Sequence, residues 1–262
     1  MRKRSLRERY CPNPNWPSSY RQPHPDFPIN PWCQACELHR CDQDPPVAAL
    51  ASNLPDELEK VRLVVISDYP GPYEAELGHL FVDNRLIAGL EEAPRNAGSM
   101  IRYLLSDMFA LDPYQEVFWT NALRCQRKSG EITPNQLRTC VRLWTKADFE
   151  RIDQVLPEVP VLVAGKYAFH SLSLLDPDRW KETGDLHAYR RGVHRLRNHP
   201  LVVTINPAAV GRAVPRLETG WRKEGKRQVP VLWEMPLMVG SAEWHARRDL
   251  EYLRPYLYAT RS

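Results

Sequence analysis

Four short apolar runs, rich in β-branched residues, recur along the chain at wide spacing. They cover residues 61–67, 117–121, 160–165 and 201–206. The runs are nearly continuous in hydrophobicity, and the chain between consecutive runs is long enough for a helix. This pattern predicts an α/β fold in which helical crossovers connect the four strands of a central parallel sheet.

Helical periodicity is found between these runs and again near the end of the chain. The predicted helices are 98–108, 134–156, 166–174 and 242–258, the last with Trp244, Leu250, Leu253 and Leu257 on its apolar side. Thr133 followed by Pro134 is a favourable cap and first-turn pair, and Pro255 is expected to shorten the last helix.

Three of the predicted strands end in a polar residue with a carboxylate or amide side chain: Asp68, Asn121 and Asn206. Because ligands bind at the carboxyl ends of the strands in an open parallel sheet, these three residues are expected to converge on one site.

The chain is predicted to have a single folded domain with an extension at each end. Seven prolines in residues 11–31 indicate an extended arm, so we assign 1–31 to a Pro-rich, basic N-terminal arm. Residues 32–220 form the predicted folded α/β domain, and 221–262 an extension packed on the same domain. The 262-residue length is sufficient for a sizeable core.

The net charge of +4 is unevenly distributed. Residues 179–227 contain twelve Lys and Arg against four Asp and Glu, a local charge of +8 that leaves −4 on the remainder. This asymmetry favours a polyanionic partner such as DNA, although a charge-rich stretch is more commonly an ordinary solvated surface. No run is apolar enough to span a membrane and no apolar stretch follows the basic start, so a cytoplasmic monomer is expected.

Four of the six cysteines form two distant pairs, Cys33 with Cys36 and Cys125 with Cys140, which leaves Cys11 and Cys41 over. In a reducing compartment a metal centre explains such pairs better than disulfides do. Four thiolates suit either tetrahedral zinc or an iron–sulfur cluster, and some of the cysteines could instead be small core residues.

These motifs, in this order, resemble the uracil-DNA glycosylase superfamily, most closely its iron–sulfur branch, which is often called family four. The matching segments are Cys33-Gln34-Ala35-Cys36, Ser67-Asp68-Tyr69-Pro70-Gly71 with Glu74, Gly78-His79-Leu80-Phe81-Val82, Thr120-Asn121-Ala122-Leu123-Arg124-Cys125, Val163-Ala164-Gly165-Lys166, and Asn206-Pro207-Ala208 with Arg212. The resemblance implies a three-layer αβα sandwich and a [4Fe–4S] cluster on Cys33, Cys36, Cys125 and Cys140.

The chemistry of excising a flipped base, taken together with this resemblance, suggests a role for each candidate site residue. Asp68 would stabilise the oxocarbenium-like sugar and activate water, and Asn206 would donate to the departing base. Phe81 would stack on the base and Asn121 would bind its edge, with Gly71 forming part of the wall. Phosphate contacts would come from Arg190, Arg191 and Arg212.

Four of these residues also have a plain structural alternative. Asp68 could cap a helix or turn, Phe81 could belong to the core, Asn121 could bond backbone groups at a strand end, and Arg212 could be a surface charge.

Three departures from the branch pattern bear on the substrate. Asn206 stands where the branch has His, as in the mismatch-type branch of the superfamily, and Asp68 stands in place of Glu. About fourteen residues, 83–96, are inserted beside Phe81 and carry the polar residues Asp83, Asn84, Arg85, Glu91 and Glu92. A polar loop beside a wall opened by Gly71 would accommodate a pyrimidine with a large C5 substituent.

We therefore expect a monofunctional DNA glycosylase that leaves an abasic site. The leading substrate is glucosylated hydroxymethylcytosine of phage DNA, with an antiviral role, and the alternative is uracil in base-excision repair. A protein of another class, a cluster-bearing DNA-binding factor without catalysis, would keep the same fold.

Overall fold

The computed structural model describes residues 58–77, 80–87, 96–125, 131–180, 184–208, 220–224, 227–231 and 241–258. Several sequence predictions lie outside these residues. They are the N-terminal arm, Cys11, Cys33, Cys36 and Cys41, most of the insertion (88–95), and Arg212.

A five-stranded sheet forms the centre of the fold. Its strands are β1 (Leu63–Ser67), β2 (Val117–Asn121), β3 (Val161–Ala164), β4 (Val193–Leu196) and β5 (His199–Thr204), in the spatial order β2-β1-β3-β5-β4. The four strands predicted from sequence are parallel, as expected, and β4 is an antiparallel edge strand paired with β5. The pattern of β4 did not indicate a strand because only one of its four residues is buried, as is common at a sheet edge.

Helices connect the strands. They are α1 (Pro72–Leu77), α2 (Ala97–Phe109), α3 (Pro134–Cys140), α4 (Lys146–Val155), α5 (Lys166–Leu175), α6 (Ala242–Leu250) and α7 (Arg254–Tyr258). A π-helical segment, Val141–Thr145, joins α3 to α4, so the single helix predicted over 134–156 is continuous but locally widened. Two further strands, β6 (Gly220–Glu224) and β7 (Arg227–Val231), pair as an antiparallel hairpin.

The helix boundaries follow their caps. Thr133 Oγ1 accepts from the Gln136 N–H at 3.3 Å, and Gln136 Oε1 accepts from the Thr133 N–H at 2.9 Å, which completes a capping box at the start of α3. At α2, the Asn96 side chain accepts from the Ser99 N–H at 2.8 Å.

Two hydrophobic layers cover the two faces of the sheet. Val64 and Ile66 of β1 face a core shared with α3, α4 and α5, whereas Leu63 and Val65 face a core shared with α2 and the C-terminal helices. Successive side chains of this fully buried strand point to opposite faces of the sheet, and helices pack on both faces. The result is the three-layer αβα sandwich expected from the sequence.

The C-terminal helices belong to the second of these layers. Ala246, Leu250, Leu253 and Leu257 are buried with residues of β1, β2 and β5. Pro255 lies in the first turn of α7, where proline is tolerated, so the predicted terminal helix is divided rather than truncated. Among the described residues, no helix is both long enough and apolar enough to cross a lipid bilayer.

Candidate active site

The parallel strands end in register at one edge of the sheet. Ser67 pairs with Asn121 on one side and with Ala164 on the other, and Ala164 pairs with Thr204. The residues that follow β1 and β5, and the last residue of β2, therefore meet at this edge. This places Asp68, Asn121 and Asn206 together, as the sequence predicted.

Asp68 and Asn206 are in direct contact although 138 residues separate them in sequence. Asn206 Nδ2 donates to Asp68 Oδ2 at 2.7 Å, and Asn206 Oδ1 accepts from the Ala208 N–H at 2.8 Å. The two bonds fix the orientation of the amide, because its oxygen can only face the backbone donor and its nitrogen the carboxylate. Among the described residues nothing accepts from the second N–H of the Asn206 amide, so this group can donate to a ligand.

The other carboxylate oxygen of Asp68 caps helix α5. Asp68 Oδ1 accepts from the N–H groups of Tyr167 and Ala168 at 2.8 and 3.0 Å. Gly165 precedes this helix with a φ of 115°, and a Cβ there would collide with the Asp68 carboxylate. Asp68 therefore does cap a helix, as the structural alternative expected. This cap uses one carboxylate oxygen, and the other oxygen accepts from Asn206.

Burial raises the pKa of Asp68, which is only 6% exposed. The hydrogen bonds from Ala168, Asn206 and Tyr167 and the charge of Lys166 act in the opposite direction, since each stabilises the carboxylate. The Asp68 carboxyl is therefore more basic than an ordinary aspartate, although the N-terminus of α5 favours its charged form.

Asn121 is the last residue of β2 at this edge of the sheet and is only 2% exposed. Its backbone oxygen accepts from Thr145 Oγ1 at 3.2 Å, so the π-helical segment holds the strand end. Within the described part of the chain, Asn121 Oδ1 is buried and has no hydrogen-bond partner. An unsatisfied buried amide oxygen is an acceptor suited to the N–H edge of a pyrimidine.

Phe81 is 3% exposed, and its ring packs on Trp119 with 4.5 Å between the centroids. Its backbone is left-handed, with a φ of 54°. The Phe81 N–H bonds the Glu74 carboxylate, and its carbonyl accepts from Arg102 Nε at 3.0 Å. The burial agrees with the core alternative, and stacking on a base stays a prediction.

Glu74 occupies the position that the sequence had left open beside Gly71. Its Oε2 accepts from the Gly71 N–H, and a Cβ on Gly71 would lie 2.6 Å from that oxygen. The Glu74 carboxyl therefore lies where a Gly71 side chain would point, and the open wall at Gly71 stays a prediction. Burial raises the pKa of Glu74 to about 7, so this group is close to half protonated at neutral pH.

The two ends of the 83–96 insertion are joined beside Phe81. Asn84 is 3% exposed, and its Oδ1 accepts from the Asn96 N–H at 3.2 Å and from Ser99 Oγ at 3.1 Å. The amide oxygen of Asn84 is thus engaged within the loop, and the use of Asn84 to bind sugar hydroxyls stays a prediction. Glu91 and Glu92 lie outside the described residues.

The two predicted phosphate-binding arginines that the structure describes differ in exposure. Arg191 is exposed, whereas the Arg190 side chain is 9% exposed and donates through Nε to Asp249 Oδ2 at 2.7 Å. Asp249 belongs to α6, which the sequence had not connected with the site.

Cys125 and Cys140 are both buried on the α3 side of the sheet. Cys140 Sγ accepts from the Arg124 N–H at 3.2 Å, which places it next to the residue that precedes Cys125. Two buried cysteine sulfurs with a backbone donor suit thiolate ligation of an iron–sulfur or zinc centre. Within the described ranges, no group of three or more His, Cys, Asp or Glu side chains could hold a metal ion, and the other cysteine pair lies outside them.

Sequence reasoning missed several residues that shape the site. Glu74 was noted only as part of a motif, while Thr145, Thr204 and Asp249 carried no signal at all. Each acts through a contact with a residue distant in the chain or through burial, neither of which a local pattern reveals.

The arrangement combines the groups that N-glycosidic hydrolysis requires. A buried carboxylate stands beside an amide donor, and an unsatisfied amide oxygen lies on the neighbouring strand end. The carboxylate of Asp68 can stabilise a cationic sugar and accept a proton from water. The amide N–H of Asn206 can donate to a departing base, and the amide oxygen of Asn121 can orient that base.

Comparison with known proteins identifies one family over this region. Residues 55–224 match the family model described as the uracil DNA glycosylase superfamily. A search of curated proteins found no match.

Proposed function

The chain belongs to the uracil DNA glycosylase superfamily, and we propose that it flips a pyrimidine nucleotide out of DNA and hydrolyses its N-glycosidic bond. The observation that carries this proposal is the 2.7 Å bond between Asn206 Nδ2 and Asp68 Oδ2 at the edge where Asn121 presents an unsatisfied oxygen. Members of this superfamily act on DNA, and the basic segment 179–227 agrees with such a partner.

Asp68 acts on the sugar in this reaction. As the bond between C1′ and the base nitrogen breaks, positive charge develops on the sugar, and the Asp68 carboxylate stabilises it. Water then forms the new bond to C1′, and Asp68 accepts one of its protons. The products are an abasic site and the free base, which leaves as an anion and takes a proton from solvent.

Asn206 acts on the base. The electron pair of the broken N-glycosidic bond remains with the departing base, so its O2 atom becomes more negative. The second N–H of Asn206 donates a hydrogen bond to this O2. Because one amide hydrogen is held by Asp68, the donor is oriented before the substrate arrives. Asn121 Oδ1 accepts from the N–H edge of the same base.

We propose glucosylated hydroxymethylcytosine as the substrate, with antiviral defence as the role. Asn206 in place of His and the polar insertion beside Phe81 support this choice. The filled space above Gly71 instead favours a base with a small C5 position, so uracil is the second candidate.

We also propose that a [4Fe–4S] cluster is bound by Cys33, Cys36, Cys125 and Cys140. The burial of the described pair and the N–H donor to Cys140 support it. The cluster has a structural role, since Cys125 follows the Asn121 strand by four residues and would hold that strand in place.

A single assay tests both the activity and the substrate. Duplexes containing uracil, unmodified cytosine, hydroxymethylcytosine or its glucosylated form are incubated with the protein, and abasic sites are scored by alkaline cleavage. Release from glucosylated DNA supports the first candidate, and release from uracil DNA alone replaces it with the second. Absence of release from every duplex contradicts the enzymatic proposal, and strand breaks before alkali contradict a monofunctional enzyme.

A further inference from the structure

A group of basic side chains lies where the loop before β4 meets helix α6. The loop carries Arg190 and Arg191, and the helix carries His245 and Arg248. All three arginines lie close enough to His245 for their charges to act on its imidazole. Arg248 lies over the Trp244 ring at 4.8 Å, so its exposed guanidinium has a defined support.

This cluster is tied to the catalytic edge of the sheet by buried contacts. Asp249, which is fully buried, accepts from Arg190 Nε at 2.7 Å and from Thr204 Oγ1 at 3.0 Å through the same oxygen. Thr204 is the last residue of β5 and stands two positions before Asn206. The basic cluster therefore lies beside the strand end that carries the base-facing amide.

Two nitrogen atoms of the cluster are buried and unsatisfied. In the part of the chain that the structure describes, neither Arg190 Nη2 nor His245 Nδ1 has a hydrogen-bond partner. The Arg190 side chain is 9% exposed, and a buried guanidinium N–H without an acceptor is costly. An anion bound at this position would accept from these groups, with Arg191 and Arg248 at its exposed side.

We propose that Arg190, Arg191, His245 and Arg248 form a binding site for one backbone phosphate of the DNA. This inference rests on the proposed glycosylase function and extends it, because helix α6 lies outside the residues that match the family. Asp249 neutralises Arg190 and positions it, while Arg191 and Arg248 supply the net positive charge. Asp249 Oδ1 also lacks a hydrogen-bond partner among the described residues.

The phosphate should change the protonation of His245. Burial and the charges of Arg190, Arg191 and Arg248 lower the pKa of His245, and only the Asp249 carboxylate opposes them. A bound phosphate adds negative charge and raises this pKa, so binding takes up a proton. Affinity for DNA is then expected to increase as pH falls through the His245 titration range.

The test uses the full chain and an unmodified DNA duplex, with binding followed by fluorescence anisotropy at several salt concentrations. Arg248→Gln is expected to weaken binding between about threefold and about tenfold and to reduce the salt slope by about one. The matched control is Arg151→Gln, an exposed arginine of α4 outside the cluster, which should bind like wild type. Wild-type affinity should also show a pH dependence that His245→Gln loses.

The outcomes separate this site from the enzymatic function. If wild type releases a base but Arg248→Gln and His245→Gln bind DNA with the wild-type affinity, salt slope and pH dependence, the phosphate site is wrong and the glycosylase remains. If wild type binds DNA with the expected effects of both variants but releases no base, the phosphate site stands and the enzymatic proposal fails. A wild type that does not bind DNA contradicts both.

Discussion

At the scale of single residues, Asp68 combines a structural and a proposed catalytic role on its two oxygens. Asp68→Asn keeps an acceptor for the N–H groups of α5 but removes the negative charge. We expect base release to fall between about 100-fold and about 10,000-fold. The free energy of unfolding should fall by about 1–3 kcal/mol, because the new amide N–H group would face Asn206 Nδ2, which is itself a donor. Single-turnover rates and urea denaturation measure the two effects.

Asn206→Ala tests the other member of the pair. Loss of the amide donor should lower the single-turnover rate between about 100-fold and about 1,000-fold. Asn198→Ala, which alters an exposed asparagine between β4 and β5, is the matched control and should leave the rate unchanged. Equal rates for the two variants would remove Asn206 from the mechanism.

Glu74 should make stability depend on pH. Burial raises its pKa in the folded protein to about 7 from an ordinary value of 4.5, so folding favours the protonated form. The contribution of Glu74 to the free energy of unfolding is fully present below pH 4.5 and is lost as pH rises through about 7. The loss amounts to roughly 3 kcal/mol. Wild type should therefore lose more stability than Glu74→Gln between pH 5 and pH 8 in urea denaturation. Parallel losses in the two proteins would show that Glu74 does not titrate in this range.

At the scale of elements, helix α5 depends on a glycine that no other residue can replace. Gly165 has a φ of 115° and touches the Asp68 carboxylate. Gly165→Ala is expected to destabilise the protein by more than about 1 kcal/mol and to reduce base release, because both the helix start and Asp68 must move. Gly184→Ala is the control, since its Cβ would meet nothing within 4 Å. Similar melting temperatures for the two variants would contradict this account.

At the scale of the whole molecule, the proposed cluster would join Cys33 and Cys36 to Cys125, four residues after the end of β2. If it is present, the purified protein contains about four iron atoms per chain and absorbs visible light through thiolate-to-iron charge transfer. Cys140→Ser should lose that absorbance and lower the melting temperature by about 5 °C or more. Cys41→Ser serves as the control, because Cys41 is outside the predicted quartet. Stoichiometric zinc and no iron would replace the cluster with a zinc site.

The fold was largely predictable because its signals are local. Buried parallel strands need continuous apolar runs, and helices need caps such as Thr133, so both leave patterns within a few residues. The exposed edge strand β4 was missed because pairing on one side places little demand on its side chains. The convergence of Asp68, Asn121 and Asn206 was also predictable, since it follows from parallel strand order alone.

The details of the site depended on contacts between distant residues. The sequence could place Asp68 and Asn206 at one edge, but only the tertiary structure joined them through a 2.7 Å bond and put the Glu74 carboxyl above Gly71. The tertiary structure also brings Asp249 of helix α6 into hydrogen bonds with Arg190 and Thr204. The periodicity of apolar residues in the sequence determines which residues are buried. The pKa and the hydrogen-bond partners of a charged group depend instead on how deeply it is buried and on the residues around it. Those residues come from distant parts of the chain, so only the tertiary structure decides them.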